Sequence, residues 1–147
     1  MSRSWSTPAV LWVVGGVLVS IVLVTGSPGL ALVEGLVFAA AGALLSPLAF
    51  PRPVTADEAR RRSAQHGRPI VYWRPGCRFC LRLRFRLGRL ARSASWVNIW
   101  ADPDGAAAVR AATGGDETVP TCVLGGVTVV NPDPADVRAA CLASGRS

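Results

Sequence analysis

The segment RPGCRFC, at residues 74–80, holds two cysteines separated by two residues. This spacing suits a reactive dithiol, a structural disulfide or half of a metal site. A zinc site usually needs a second close pair, and the other two cysteines, Cys122 and Cys141, are nineteen residues apart. A [2Fe–2S] centre shared by two chains stays an alternative. We expect no metal and interpret Cys122 and Cys141 as small buried hydrophobic residues.

The dithiol lies where a predicted strand gives way to a predicted helix. PIVYW at 69–73 is rich in strand-forming residues, and the run over 78–92 places Cys80 and several leucines on one helical face. Free amides at a helix start favour a thiolate, and Arg74 and Arg78 add positive potential. Cys77 is therefore the predicted nucleophile, and Cys80, one turn inside, is predicted to be more buried and to resolve a mixed disulfide on Cys77.

The rest of the C-terminal part alternates between strand and helix patterns. Two Asp-Pro pairs, at Asp102 and Asp133, each predict a capped helix start. Thr55 and Glu58 form a predicted capping box for an earlier helix, which Gly67 ends. The predicted strands cover residues 69–73, 96–100, 118–124 and 127–130, and the predicted helices cover 56–66, 78–92, 103–113 and 134–145. Residues 69–147 are thus predicted as an α/β domain of order β-α-β-α-β-β-α, after an Arg-rich linker helix at 52–68.

The first third of the chain has a different composition. Residues 1–50 contain two charged side chains, Arg3 and Glu34, and two apolar runs at about 8–24 and 30–50. Each run approaches the ~20 residues that span a bilayer core, so residues 1–51 are predicted as a membrane anchor of two transmembrane helices. A cleaved signal peptide is the alternative for the first run. Glu34, near the end of the second run, is interpreted as reaching water at the interface.

The arginines predict the orientation of this anchor. The loop between the two runs is uncharged, whereas Arg52 and four further arginines follow within residues 60–68. The positive-inside rule then places the dithiol on the cytoplasmic side of the cell (inner) membrane, in a multi-pass protein with the lipid bilayer as a partner. Because the cytosol is reducing, a persistent structural disulfide is disfavoured there.

The overall charge does not indicate nucleic-acid binding. The net charge is +7, and all sixteen basic residues are arginine. Much of this charge follows an apolar run, and no aromatic-interleaved basic stripe or nucleic-acid motif occurs. We therefore predict no nucleic-acid partner.

Several segments together resemble the glutaredoxin family, and within it the mycoredoxins of mycothiol-using bacteria. They are VYWRPGCRFC, TGGDETVPT and VTVVNPDPADV, and the resemblance covers about residue 70 to the C-terminus. It implies a thioredoxin fold with Cys77 and Cys80 as catalytic residues and Pro120 as a cis-proline. It also implies that the thiol co-substrate is mycothiol. The residues implied to bind it are Arg74, Phe79, Thr118, Val119, Pro120, Asn131 and Asp133.

Two departures from the family bear on the co-substrate. Arg78 replaces the proline or small residue of the usual tetrad, and VN at 130–131 replaces the glycine pair of many glutathione-dependent members. Glutathione is therefore the less favoured co-substrate.

The resulting prediction is a membrane-anchored thiol–disulfide oxidoreductase that reduces protein–mycothiol mixed disulfides through Cys77. Its partners would be mycothiolated or disulfide-containing proteins. One alternative is a thioredoxin-like dithiol reductase of a membrane partner. The other is a non-enzymatic redox sensor or adaptor whose dithiol only reports oxidation.

Overall fold

The computed structural model describes residues 6–24, 26–45 and 50–145. The chain divides into two compact units, Met1–Ala49 and Phe50–Ser147. In chain order the helices are α1 (Ser6–Val24), α2 (Pro28–Leu45), α3 (Ala56–His66), α4 (Arg78–Leu87), α5 (Pro103–Thr113) and α6 (Pro134–Ser144), with a 3-10 helix at Gly88–Ser93. The strands are β1 (Ile70–Trp73), β2 (Ser95–Asn98), β3 (Thr121–Leu124) and β4 (Val127–Val130).

The first unit is a pair of apolar helices that approach closely at two glycines. A Cβ at Gly15 would lie 2.6 Å from the Cβ of Phe38, and a Cβ at Gly42 would collide with the Trp12 ring. Only glycine leaves room for these contacts between α1 and α2.

The prediction of two membrane-spanning helices is not supported. Across residues 6–24, 26–45 and 50–145, no helix combines the length and apolar character needed to cross a bilayer. The end of the predicted second span, residues 46–49, lies outside the described residues. The location and orientation that depended on these spans stay predictions.

The second unit contains a four-stranded mixed sheet of order β2-β1-β3-β4. Strand β1 pairs in parallel with β2 and antiparallel with β3, and β4 pairs antiparallel with β3. The predicted order β-α-β-α-β-β-α is confirmed, although β2 ends at Asn98 and β3 begins only at Thr121, after Pro120. Each of the two central strands has its first two residues fully buried, as expected for strands covered by helices.

The topology brings three loops to one edge of this sheet. Tyr72, near the end of β1, is the register partner of Thr121, which begins β3. Thr121 is in turn opposite Val130, which ends β4. The segments at 74–77, 118–120 and 131–133 therefore emerge side by side, although they are far apart in the sequence.

The predicted helix ends are confirmed at α3, α5 and α6 and wrong at α4. Thr55, Asp102 and Asp133 cap α3, α5 and α6 as predicted, and Gly67 ends α3 in the left-handed conformation. Helix α4, in contrast, ends at Leu87 rather than near residue 92. Gly88 has φ +55° and ψ −125°, outside the helical region, and the chain continues as a 3-10 helix.

The capping box of α3 is formed only in half. The Thr55 hydroxyl accepts the Glu58 amide at 3.3 Å, but the Glu58 carboxylate accepts hydrogen bonds from Arg61 and Arg62 instead of reaching back. Because these guanidinium groups are charged, they compete well for the carboxylate, and they hold the pKa of Glu58 below its ordinary value.

Phe50 belongs to the core of the second unit and not to the second apolar run, where the sequence had placed it. It is 8% exposed and stacks on Trp73 with ring centroids 3.8 Å apart. Trp96 lies next to it, with centroids 5.6 Å apart. The domain core therefore extends two residues upstream of the predicted linker.

Candidate active site

The dithiol lies at the junction of β1 and α4, as predicted. Trp73 ends the strand, a turn with Gly76 at φ +77° follows, and Cys77 is the N-cap of α4. Cys77 and Cys80 are joined as a disulfide with a Cα–Cα distance of 5.3 Å. Cys77 is partly exposed and Cys80 is fully buried, which confirms the predicted difference in access.

The surroundings of Cys77 suit a negatively charged sulfur. The Cys80 amide donates a hydrogen bond to the Cys77 sulfur at 3.1 Å, in the manner of a helix N-cap. When the disulfide is reduced, a thiolate at this position faces the positive end of α4. The two predicted cations lie over aromatic rings, Arg78 at 4.8 Å from the Phe79 centroid and Arg74 at 5.9 Å from the Trp100 centroid.

The loop before β3 forms the second wall of the site. The Val119–Pro120 peptide bond is cis, as the resemblance implies. The Val119 carbonyl oxygen lies 3.5 Å from the Cys77 sulfur, and Val119 and Pro120 are buried while Thr118 is exposed. The Pro120 carbonyl accepts the amide of Asn131, whose φ is +49°, so this loop is tied to the one before α6.

A cleft of about 670 Å³ extends from this loop along α4 and α6. Phe79 lies between the two cysteines in the chain, and Pro120 follows Val119, whose carbonyl oxygen is next to the Cys77 sulfur. Asp133 is the N-cap of α6. One Asp133 oxygen accepts the Ala135 amide at 2.8 Å. The lining residues are Phe79, Arg82, Leu83, Arg86, Pro120, Asn131, Pro132, Asp133, Pro134, Ala135 and Arg138.

The cleft brings together four of the seven residues predicted to bind the thiol co-substrate. Phe79, Pro120, Asn131 and Asp133 line it. The other three do not. Arg74 lies over Trp100, the Val119 carbonyl oxygen lies 3.5 Å from the Cys77 sulfur, and the Thr118 carbonyl accepts the Thr121 hydroxyl.

Sequence reasoning missed the three arginines of the cleft. Arg82 and Arg86 follow Phe79 at intervals of three and four residues, so helical spacing alone places them on its face. Arg138 lies on α6 and reaches the same cleft only because α4 and α6 pack together. A helical-face analysis of α4 would have found two of the three.

Cys122 and Cys141 lie in the core, as predicted. Cys122 is fully buried and Cys141 is 1% exposed. Burial raises the pKa of Cys141 to about 11 and also raises the pKa of Cys122 well above its ordinary value. Both are therefore neutral thiols at physiological pH. Within the part of the chain that the structure describes, no group of three His, Cys, Asp or Glu side chains could hold a metal ion.

The glutaredoxin family model matches residues 70–129, from the start of β1 into β4. The matched region includes the dithiol and the cis-proline. No curated protein and no solved structure matches the chain. Residues 70–129 therefore match a glutaredoxin domain, and this match, together with the thioredoxin-like mixed α/β fold, supports the activity of a thiol–disulfide oxidoreductase. It favours an enzyme over the non-enzymatic sensor.

Proposed function

We propose that this thiol–disulfide oxidoreductase, through its glutaredoxin domain, reduces mixed disulfides between proteins and mycothiol, with Cys77 as the nucleophile. The observation that carries the proposal is the asymmetry of the dithiol. Cys77 is accessible, caps α4 and borders the cis-proline loop, whereas Cys80 is fully buried one turn inside.

The reaction is a pair of thiol–disulfide exchanges. The Cys77 thiolate attacks the mycothiol sulfur of the mixed disulfide, a Cys77–mycothiol disulfide forms, and the protein thiolate leaves and takes up a proton. A second mycothiol thiolate then attacks the mycothiol sulfur bound to Cys77. The products are mycothiol disulfide and the free Cys77 thiolate. The protein thiol is released reduced, the incoming mycothiol is oxidised, and the disulfide bond has passed from the protein to mycothiol. The thiolate fraction, the leaving group and the access of Cys77 set the rate.

The site stabilises the Cys77 thiolate and keeps Cys80 within reach of it. The amide of Cys80 and the N-terminus of α4 stabilise negative charge on Cys77 both before attack and when it leaves. The buried Cys80 is shielded from external disulfides but is close enough to displace a thiol from Cys77.

The choice of mycothiol rests on the segments TGGDETVPT and VTVVNPDPADV, which resemble mycoredoxins. Mycothiol is a cysteinyl amino sugar linked to inositol and lacks the two carboxylates of glutathione. A glutathione site would call for a cation near Cys77; Arg74 lies over Trp100, but Arg82, Arg86 and Arg138 line the adjacent cleft. Asp133 could face a γ-glutamyl amine, so charge alone does not decide.

The test is steady-state reduction of a peptide–mycothiol mixed disulfide by the wild type, Cys77→Ser and Cys80→Ser. Cys77→Ser is expected to abolish turnover, because a hydroxyl is far less acidic than a thiol and forms no mixed disulfide. Cys80→Ser is expected to retain much of the activity, because free mycothiol clears Cys77. Residual activity of Cys77→Ser would disprove the nucleophile assignment, and equal or faster turnover of the glutathione mixed disulfide would disprove the preference for mycothiol.

A second candidate is a thioredoxin-like dithiol cycle, which the intramolecular Cys77–Cys80 disulfide favours. In that cycle Cys80 displaces the reduced substrate, and an external reductant regenerates the dithiol. Loss of all activity in Cys80→Ser would support this cycle over the monothiol mechanism.

A further inference from the structure

We propose that Trp100 is a positioning residue that helps to select the thiol co-substrate, because its ring holds the Arg74 guanidinium away from that thiol. The inference rests on the proposed function, since it concerns which thiol is transferred to Cys77. It adds a determinant that lies outside the cleft. While Arg74 stays on the indole ring, a thiol that carries a carboxylate gains nothing from this cation.

The Arg74 side chain and the Cys77 sulfur are directed toward opposite sides of strand β1. In the sheet order β2-β1-β3-β4, strands β2 and β3 flank β1. The Cys77 sulfur lies 3.5 Å from the carbonyl oxygen of Val119, in the loop before β3. The Arg74 guanidinium lies 5.9 Å from the ring centroid of Trp100, in the turn after β2. Arg74 is therefore directed away from the sulfur, although only two residues separate it from Cys77 in the chain.

The cleft lies on the same side of β1 as the sulfur. The described residues that line it come from α4, α6, the loop before β3 and the segment after β4, and neither Arg74 nor Trp100 is among them. Its charged lining residues within the described part of the chain are Arg82, Arg86, Asp133 and Arg138. Arg74 adds a positive charge to this set only when it leaves the indole ring.

Hydrogen bonds of the backbone fix the turn that carries Trp100. The Trp100 amide donates to Asn98 Oδ1 at 3.0 Å, and the Asn98 carbonyl accepts the Asp102 amide at 3.0 Å. The Ile99 amide donates to the Trp73 carbonyl at 3.0 Å and ties this turn to the end of β1. Because the turn is fixed to β1 and at its own two ends, the indole ring has a defined position from which it can hold a cation.

The contact between Arg74 and Trp100 is weak enough to be exchanged for a carboxylate once the ring is removed. Both side chains are partly exposed. An exposed cation–π contact favours the bound position of a cation by about two- to fivefold over its free positions. An exposed ion pair contributes a similar amount, so the ring and a carboxylate of the co-substrate compete for Arg74 on nearly equal terms.

The experiment follows a single transfer to Cys77 in the full chain carrying Cys80→Ser. The reduced protein is mixed with a peptide whose one cysteine forms a mixed disulfide with either mercaptopropionate or mercaptoethanol. The Cys77 thiolate attacks the sulfur of the small thiol, a disulfide forms between them, and the peptide thiolate leaves and takes up a proton. Intact-mass measurement gives the rate of this adduct, because Cys122 and Cys141 are buried and do not compete.

The quantity compared between variants is the ratio of the mercaptopropionate rate to the mercaptoethanol rate. The two small thiols differ in the carboxylate, and a change in Cys77 reactivity or in the folded fraction affects both rates equally. Trp100→Leu is expected to raise the ratio by about two- to fivefold, because the released Arg74 reaches the carboxylate. Added salt is expected to reduce this gain, since exposed charges are screened within ~10 Å at 0.1 M salt.

Two further variants show whether the gain acts through the ring and through Arg74. Trp100→Phe keeps an aromatic face for the cation and is expected to retain most of the wild-type ratio. Arg74→Gln/Trp100→Leu is expected to lose the gain. An unchanged ratio in Trp100→Leu overturns the proposal, as does an equal gain in Trp100→Phe or a gain that persists in Arg74→Gln/Trp100→Leu.

A measurement with the native tryptophan does not depend on how the Trp100 variants fold. In that background Arg74→Gln is expected to change the ratio by less than about 1.5-fold, because Arg74 does not reach the co-substrate while the ring holds it. A larger fall in the ratio would mean that Arg74 already binds the carboxylate, and it would overturn the proposal.

Failure of the proposed function gives a different result. If the full chain does not turn over a mycothiol mixed disulfide but Trp100→Leu shows the gain that depends on Arg74, the choice of mycothiol is wrong and the role of Trp100 stands. If mycothiol is turned over and the ratio does not respond to Trp100→Leu, the proposed function stands and the role of Trp100 is wrong.

Discussion

Phe50→Ala is expected to destabilise the second compact unit, Phe50–Ser147, although Phe50 is the first residue of that unit. Phe50 is 8% exposed and contacts the rings of Trp73 and Trp96. Burying roughly 150 Å² of aromatic surface at about 25 cal/mol per Å² contributes about 4 kcal/mol, of which an alanine retains about 1 kcal/mol. The expected loss is therefore about 3 kcal/mol, at the lower end of measured Phe→Ala changes in protein cores.

Phe85→Ala is the matched control, because Phe85 is 60% exposed on α4. The same atoms are removed there with little loss of buried area, so the expected change is within about 0.5 kcal/mol. The two variants thus separate the packing of Phe50 from the general effect of removing a phenyl ring.

Alkylation of Cys122 under increasing urea reports unfolding of this domain within the full chain. Cys122 is fully buried in β3 and reacts only when the domain opens. A loss of 3 kcal/mol raises the unfolded fraction more than ~100-fold, so labelling of Phe50→Ala is expected to begin at a clearly lower urea concentration. Equal urea midpoints for Phe50→Ala and Phe85→Ala would refute the assignment of Phe50 to the domain core.

Two further predictions concern stability. Asp102→Ala is expected to lower the free energy of unfolding by about 2–3 kcal/mol in the same assay. One Asp102 oxygen accepts the Gly105 amide at 2.7 Å and caps α5, and the other accepts the Ala56 amide of α3 at 2.9 Å. A loss below about 0.5 kcal/mol would contradict this prediction. Because burial raises the pKa of Cys141 to about 11 and that of Cys122 as well, the two thiols ionise first in the unfolded chain. Stability is therefore expected to be full below about pH 8.5 and to fall above it by up to ~1.4 kcal/mol per pH unit for each thiol, and a Cys122→Ala/Cys141→Ala variant followed by fluorescence should show a shallower fall.

The reacting group and most of the local structure could be predicted from short-range patterns in the chain. The dithiol spacing, the Asp-Pro helix starts at Asp102 and Asp133, and the stop at Gly67 all act within a few residues along the chain. Such signals can be recognised without knowing the fold, because a cap or a left-handed glycine depends on its immediate neighbours.

The same short-range patterns predicted the wrong end for α4, which stops at Leu87 instead of near residue 92. Leucine and arginine are good helix formers, so the run to residue 92 predicted one continuous helix. The backbone at Gly88 instead leaves the helical region and lets the chain turn before β2. Helix propensity is a weak signal against the packing of a whole domain, and an isolated glycine in such a run was compatible with either outcome.

The packing of Phe50 and the set of side chains that line the cleft depend on how distant segments come together in the fold. Phe50 continues an apolar run in the sequence, yet it meets Trp73 and Trp96, which lie on strands well downstream. Arg138 joins Arg82 and Arg86 because α6 packs against α4. Trp73 and Trp96 are neighbours because β1 and β2 pair in parallel, and the arginines meet because α4 and α6 pack together, and no short-range pattern in the chain carries that information.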